Sequence, residues 1–347
     1  MTSRSTCVVS LIAGFLATTL QARDIHYGSV TDADLLRCDR LAWSGQKSAS
    51  TSCYRDLLAG NSATEIKAEA AWALGELELA NQHFRFATSV NPDDASIRVR
   101  WGDLFADSHQ NGEAMNIYRE ALNIDATHAY AQLGAASVLV GGFDDAANTF
   151  LEPLLTDESF AGGARAAAWL LVARVSLENS QRPRAEDAMD TAEELLRADD
   201  WPLLELYALR AAADLLDNVT ESEYTAISLA ENSNFGDIYA IPAHFYVITR
   251  RYREAIDLYQ KAVDIEPDHA AAREELGVNL LRDNQVSRAR ENLEVAYAAD
   301  PFSPKAVNTL RLLDSFEDFR LITDPTEPEP GVLPVIFRLH RDEAAVI

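Results

Sequence analysis

Imidazole is the commonest protein metal ligand and general base, so the seven histidines are the natural place to look for chemistry. They are His26, His83, His109, His128, His244, His269 and His340. No two stand four residues apart, and none is followed by the glutamate of an H-E-x-x-H helix, so a zinc-hydrolase site has no support. Gly-x-Ser-x-Gly is absent, as are the Walker and dinucleotide glycine motifs. Gly141-Gly142 and Gly162-Gly163 read as turn pairs. Asn218-Val219-Thr220 has the form of a glycosylation sequon and reads as a chance match. Asp144-Asp145 and Asp199-Asp200 read as solvated helix starts and turns. The expectation is a chain with no catalytic residue, no metal and no cofactor, and so not an enzyme by itself.

Thiol chemistry depends on the compartment. Arg4 is the only charge before Arg23, and Cys7 to Leu20 is uncharged and mostly apolar. Leu20-Gln21-Ala22 ends in a small residue, so residues 1–22 read as a signal peptide cleaved after Ala22, with an uncleaved anchor as the alternative. The mature chain is then exported, periplasmic or secreted, and keeps only Cys38 and Cys53. These lie equally far from the turn-like Ser44-Gly45-Gln46, so an antiparallel helix hairpin sets them at one height. An oxidising compartment favours a Cys38–Cys53 disulfide, which closes a loop of about 15 residues and contributes roughly 3 kcal/mol. The alternative is two small buried apolar side chains too far apart to bridge.

The elements that carry these residues are read from composition and period. The 347 residues are 48% hydrophobic and include 55 acidic against 30 basic side chains, for a net charge of −25. Such a chain has no electrostatic footprint for nucleic acid and is repelled by anionic lipid. With only 15 glycines and 12 prolines, a loop-rich all-β fold is disfavoured. A period then appears late in the chain. Ala255 and Ala289, Tyr259 and Leu293, Ala262 and Ala296, Pro267 and Pro301, and Ala243 and Gly277 all stand 34 residues apart. Each unit reads as two amphipathic helices, with a small residue on the first where its neighbour approaches closely. On the second, Ala, then an aromatic or Leu, then Ala share one face.

This pattern resembles the tetratricopeptide repeat, a helix–turn–helix unit of 34 residues. Ala80, Phe84, Ala87 and Pro92 repeat the second-helix signature, and Trp101-Gly102, Phe105, Ala114, Tyr118 and Ala121 give a nearly complete unit. Gly134, Ala146 and Phe150 give another; Trp169, Ala173, Ala185, Met189 and Ala192 give a fainter one. Leu203 to Ala230 is helical with no fixed register. The resemblance implies an all-α, right-handed α-solenoid stabilised by nearest-neighbour contacts between units. Its expected parts are a helical hairpin at 23–60 and repeats with a closing helix at 61–313. A Pro/Glu linker follows at 314–331, and 332–347 reads as one strand and a helix stub that begin a further domain.

A second resemblance rests on Gly236 to Tyr252 and on Asn308-Thr309-Leu310-Arg311-Leu312-Leu313-Asp314. These stretches are similar to the helical region of exported bacterial proteins that join tetratricopeptide repeats to a gluzincin-type zinc metallopeptidase. In that family the peptidase follows a strand like Val335–Leu339 and carries H-E-x-x-H, which this sequence lacks, so no peptidase residue carries over.

A repeat solenoid presents a concave wall of first helices, and in the tetratricopeptide family outward side chains there make the ligand groove. Continuing the registers puts Asp237, His244, Glu274, Arg282, Lys305 and Asn308 on that wall. For His244 the competing reading is a packed, hydrogen-bonded histidine. The function expected is a scaffold that binds a protein or peptide, with no nucleic acid and no membrane contact beyond export. The alternatives are the substrate-positioning part of a secreted zinc peptidase and a stand-alone envelope assembly factor.

Overall fold

The structure is a computed structural model that describes residues 25–142, 146–219 and 221–318. The expected signal peptide, Asp144-Asp145, Thr220 of the sequon, and the expected strand and stub at 332–347 lie outside the described residues.

Among the described residues there are seventeen helices and no strand. Helix α1 spans Ala33–Trp43 and α2 Lys47–Ala59; α3 spans Thr64–Ala73 and α4 Leu77–Val90. Next come α5 (Ala95–Asp107) with α6 (Asn111–Ile124), and α7 (Ala129–Gly141) with α8 (Ala147–Thr156). The middle of the chain resolves into α9 (Gly162–Glu178), α10 (Arg182–Ala198), α11 (Leu204–Leu216) and α12 (Glu223–Glu231). The last pairs are α13 (Asp237–Ile248) with α14 (Tyr252–Ile265), and α15 (Ala270–Arg282) with α16 (Val286–Ala299). Helix α17 closes the stack over Pro304–Asp318, running past the boundary expected at 313. Odd-numbered helices are the first, and even-numbered the second, of each pair.

The turn within a pair is made the same way in seven of the eight pairs; the α7–α8 turn includes residues outside the described ones. One residue adopts a left-handed conformation: Gly45, Gly75, His109, Ser180, Asn218, Arg250 and Asn284, with φ between 55° and 80°. That residue lets the next amide bond back across the helix end, as Gln285 N–H does to Leu280 O and Arg251 N–H to Tyr246 O, both at 2.8 Å. Five helix starts use side-chain caps: Asp32, Asp94, His128, Ser222 and His269 each accept an amide of their own first turn.

Packing follows the small-residue stripe. A Cβ on Gly277 would lie 2.6 Å from Leu293 Cγ, and Cβ atoms on Gly102 and Gly134 would lie 2.6 and 2.4 Å from the Tyr118 ring. The aromatic of one second helix therefore seats between two first helices because both present glycine. Phe84, Tyr118 and Tyr259, the large residues of the signature, are fully buried with the alanines that flank them.

Helices α1 and α2 form a further pair stacked on α3. Cys38 and Cys53 are joined across it with Cα atoms 5.5 Å apart. The hairpin also folds back on distant units. Asn234 Nδ2 donates to Gly45 O at 3.0 Å, 189 residues away in sequence. Lys47 pairs with Asp268, and His109 with Asp300. Loops of late units thus rest on turns of early ones, which closes the solenoid on itself.

Candidate functional site

The wall of first helices divides into two regions. Its C-terminal part, on α13, α15 and α17, holds the residues that periodicity singles out. Asp237, in the first turn of α13, accepts from His269 Nε2 at 2.9 Å. His269 caps α15 by accepting Ala272 N–H on Nδ1 at 3.3 Å. Burial lowers the His269 pKa, but the Asp237 and Glu266 carboxylates outweigh it and raise it to about 9. That protonation gives up only a long cap contact. Burial likewise raises Asp237, but His269 and Arg174 more than offset it and hold the carboxyl below its ordinary range. The same device recurs at His128, whose Nδ1 accepts Ala131 N–H at 3.3 Å while Nε2 meets Ser96 Oγ at 3.2 Å. An N-cap histidine thus ties each of two first helices to the one before it.

Glu274 is buried and reaches forward to α17, accepting Ala306 N–H at 3.1 Å and the Ser303 hydroxyl. Lys305 pairs with Glu275 and lies 3.8 Å from Glu274. Arg282 donates to Asn279 Oδ1 at 2.7 Å and stacks 4.9 Å over the Tyr252 ring. Both Arg282 and Asn308 are exposed on the wall. His244 is 2% exposed, with Nε2 3.6 Å from Glu178 and its ring against Phe245. Five of the six residues, Asp237, His244, Glu274, Lys305 and Arg282, therefore make contacts between helices, Arg282 while remaining exposed, and Asn308 is exposed on α17.

The middle part of the wall holds something periodicity does not indicate. Residues 25–31, ahead of α1, lie against the N-terminal ends of α7, α9 and α11. The Tyr27 carbonyl accepts from Tyr130 Oη at 2.6 Å, and the Tyr27 hydroxyl donates to Glu205 Oε2 at 3.1 Å. Arg174 holds the other oxygen of Glu205 at 2.8 Å. Trp201, in the loop before α11, sets its ring 5.8 Å from His26, 6.3 Å from Tyr27 and 6.0 Å from Trp43. His26 Nε2 meets Asp39 at 3.1 Å, and Asp39 also accepts from Tyr54 Oη at 2.7 Å. Gly162 and Gly163, read from sequence as a turn pair, instead open α9. A Cβ on Gly163 would stand 1.8 Å from the Tyr27 carbonyl oxygen. Gly163 is there because the Tyr27 segment passes over it, while a Cβ on Gly162 would stand 2.4 Å from Asp199 Oδ2.

The repeat now has independent support. A family model described as Tetratricopeptide repeat matches residues 247–304. The stacked helical pairs have the fold of a tetratricopeptide-repeat solenoid, with the family match confined to residues 247–304. The matched segment spans α14, α15 and α16, where the 34-residue offset is clearest. The human protein O-mannosyl-transferase TMTC1 is 25% identical over 229 residues, covering 63% of this chain and 25% of that protein. The chain thus spans about a quarter of the length of the curated relative it matches. Among solved structures, the APC/C hetero-tetramer Cut9-Hcn1 is 14% identical with a TM-score of 0.49, covering 83% of this chain and 56% of that one. Yeast Tom70 is 14% identical with a TM-score of 0.47, covering 84% and 69%.

Proposed function

We propose that the chain is an exported scaffold that holds a protein or peptide partner on the first-helix wall of its last repeats and does no chemistry itself. The observation that carries this reading is that wall: Arg282 and Asn308 are exposed on α15 and α17, and the Lys305–Glu275 pair ties the same two helices. Tetratricopeptide folds generally bind proteins or peptides, which fits a wall with mixed charge and amide donors. An immobilised peptide library is the test. Full-length protein is expected to bind a defined subset, and Arg282→Glu and Asn308→Ala to weaken that subset about tenfold, a loss of about 1.4 kcal/mol. A folded protein that binds no peptide, or binds the same set equally after both changes, contradicts the reading.

Export is supported by the pattern of residues 1–22 and by the Cys38–Cys53 pairing, since disulfides persist in oxidising compartments. N-terminal sequencing of the protein recovered from an envelope or culture fraction should begin at Arg23; Met1 at the terminus would contradict cleavage. Among the described residues no helix is long and apolar enough to cross a membrane.

A second reading makes this solenoid the substrate-positioning part of a secreted zinc peptidase. It rests on the stretches Gly236 to Tyr252 and Asn308 to Asp314. Sequencing the coding region past Ile347 tests it: an open frame encoding H-E-x-x-H supports it, and a stop codon there removes it. The envelope assembly factor, a solenoid acting alone, is then what a stop codon leaves beside the scaffold.

A further inference from the structure

The segment over the middle repeats is bound as a peptide would be. It belongs to no helix; the Tyr27 carbonyl and hydroxyl bond to α7 and α11, and Gly163 of α9 lies against that carbonyl. Tyr27 and Gly28 both take left-handed backbone, with φ 44° and 99°, so the segment turns tightly at the wall. Each side has given up a Cβ to let the other approach: Gly163 for the Tyr27 carbonyl, and Gly28, where a Cβ would stand 2.8 Å from Tyr130 Oη. The phenol finds a carboxylate already fixed by Arg174, so its acceptor needs no reorganisation. Three different repeats converge on Tyr27 and Gly28, with Tyr130 and Glu205 lying 103 and 178 positions from Tyr27 in sequence.

We infer that Tyr130, Gly163, Trp201 and Glu205 form a peptide-binding cradle for a tyrosine–glycine turn, and that residues 26–29 of this chain are its resident occupant. The cradle reads three features of a ligand: a phenol donor for Glu205, a carbonyl acceptor for Tyr130, and a glycine after the tyrosine. A partner presenting such a turn competes with the resident segment, and tethering favours the resident by its high effective concentration. This site is separate from the wall on α13, α15 and α17, and stands whether or not that wall binds.

The test uses full-length protein and a fluorescent peptide of residues 23–31. Wild type is expected to show no saturable binding, because its own segment fills the cradle. Tyr27→Ser, which weakens the resident, should bind the peptide at least about tenfold more tightly than wild type. Adding Gly163→Ala should abolish that binding, and a peptide with its tyrosine replaced by alanine should not bind. Equal binding by wild type and Tyr27→Ser, or none by a Tyr27→Ser protein whose circular dichroism melt shows a folded solenoid, overturns the inference. Tyr27→Phe covers the case in which Tyr27→Ser does not fold, since it removes only the hydroxyl. Hydrogen exchange at the Gly28 and Ser29 amides should then rise about tenfold relative to wild type, consistent with loss of a hydrogen bond to a charged acceptor. Unchanged exchange overturns the proposal.

Discussion

The two parts of the first-helix wall solve the same problem differently. On α13, α15 and α17 the inward polar groups are paired by neighbours one repeat away, as Asp237 is by His269 and Glu274 by Ser303. On α7, α9 and α11 they are met by a segment from the start of the chain, as Tyr130 and Glu205 are by Tyr27. The first arrangement is local and recurs with the repeat. The second is long-range and occurs once. A solenoid stabilised only by nearest neighbours needs just the first kind. The second ties the start of the chain to the middle repeats and, with the Asn234–Gly45, Lys47–Asp268 and His109–Asp300 contacts, joins early and late units into one closed body, so this protein should unfold more cooperatively than an open array.

The largest effects expected are those that separate the two regions. Reducing Cys38–Cys53, or replacing both cysteines by serine, should cost about 3 kcal/mol and act first on the hairpin that carries the segment. Denaturant unfolding followed by hydrogen exchange would show residues 25–59 losing protection before α13–α17. Of similar size, and confined to the C-terminal wall, is the titration of His269. Its pKa is raised from 6.5 to about 9, so its contribution is fully present below pH 6.5 and is lost as pH rises through 9. By linkage this amounts to roughly 3 kcal/mol. Urea melts at pH 6 and 9.5 measure it, and His269→Gln should flatten the difference.

Smaller changes sharpen the comparison. Gly277→Leu should overpack α15 against Leu293 and cost about 1–3 kcal/mol, lowering the melting temperature while leaving the Tyr27 contacts in place. Arg250→Gly should stabilise by up to about 1 kcal/mol, because a left-handed residue with φ 62° carries a Cβ penalty there that glycine lacks. An unchanged melting temperature would contradict the shared turn geometry.

The repeat itself was legible because its signals are local. Ala255, Tyr259, Ala262 and Gly277 are placed by helix period alone, and all are buried where that period puts them. The Cys38–Cys53 pairing was legible for a similar reason, since equal distance from one turn sets equal height. The middle register was harder to read because α9 and α10 run to 17 residues each, longer than the pairs around them, and so blur the 34-residue offset. Helical register alone gives the wall as a row of outward side chains, yet Asp237 and Glu274 serve the starts of the following first helices. The available signal was His269-Ala270, which repeats His128-Ala129 at the same place before a first helix. The cradle had no periodic signal, because Tyr27, Tyr130, Gly163 and Glu205 meet only after the chain has turned back. Its traces were two: a glycine pair at a helix start where a polar cap is usual, and an aromatic–glycine step ahead of the first helix.

Carbodiimide cross-linking tests the fold-back most directly, because it joins an amine to a carboxylate only where they already touch. Lys47 and Asp268, 221 residues apart, are the pair to follow by peptide mass spectrometry on the full-length protein. A closed solenoid yields the Lys47–Asp268 link within one chain. Links between adjacent repeats such as Lys305–Glu275, with none from Lys47 to the α14–α15 loop, would show an open array and contradict it.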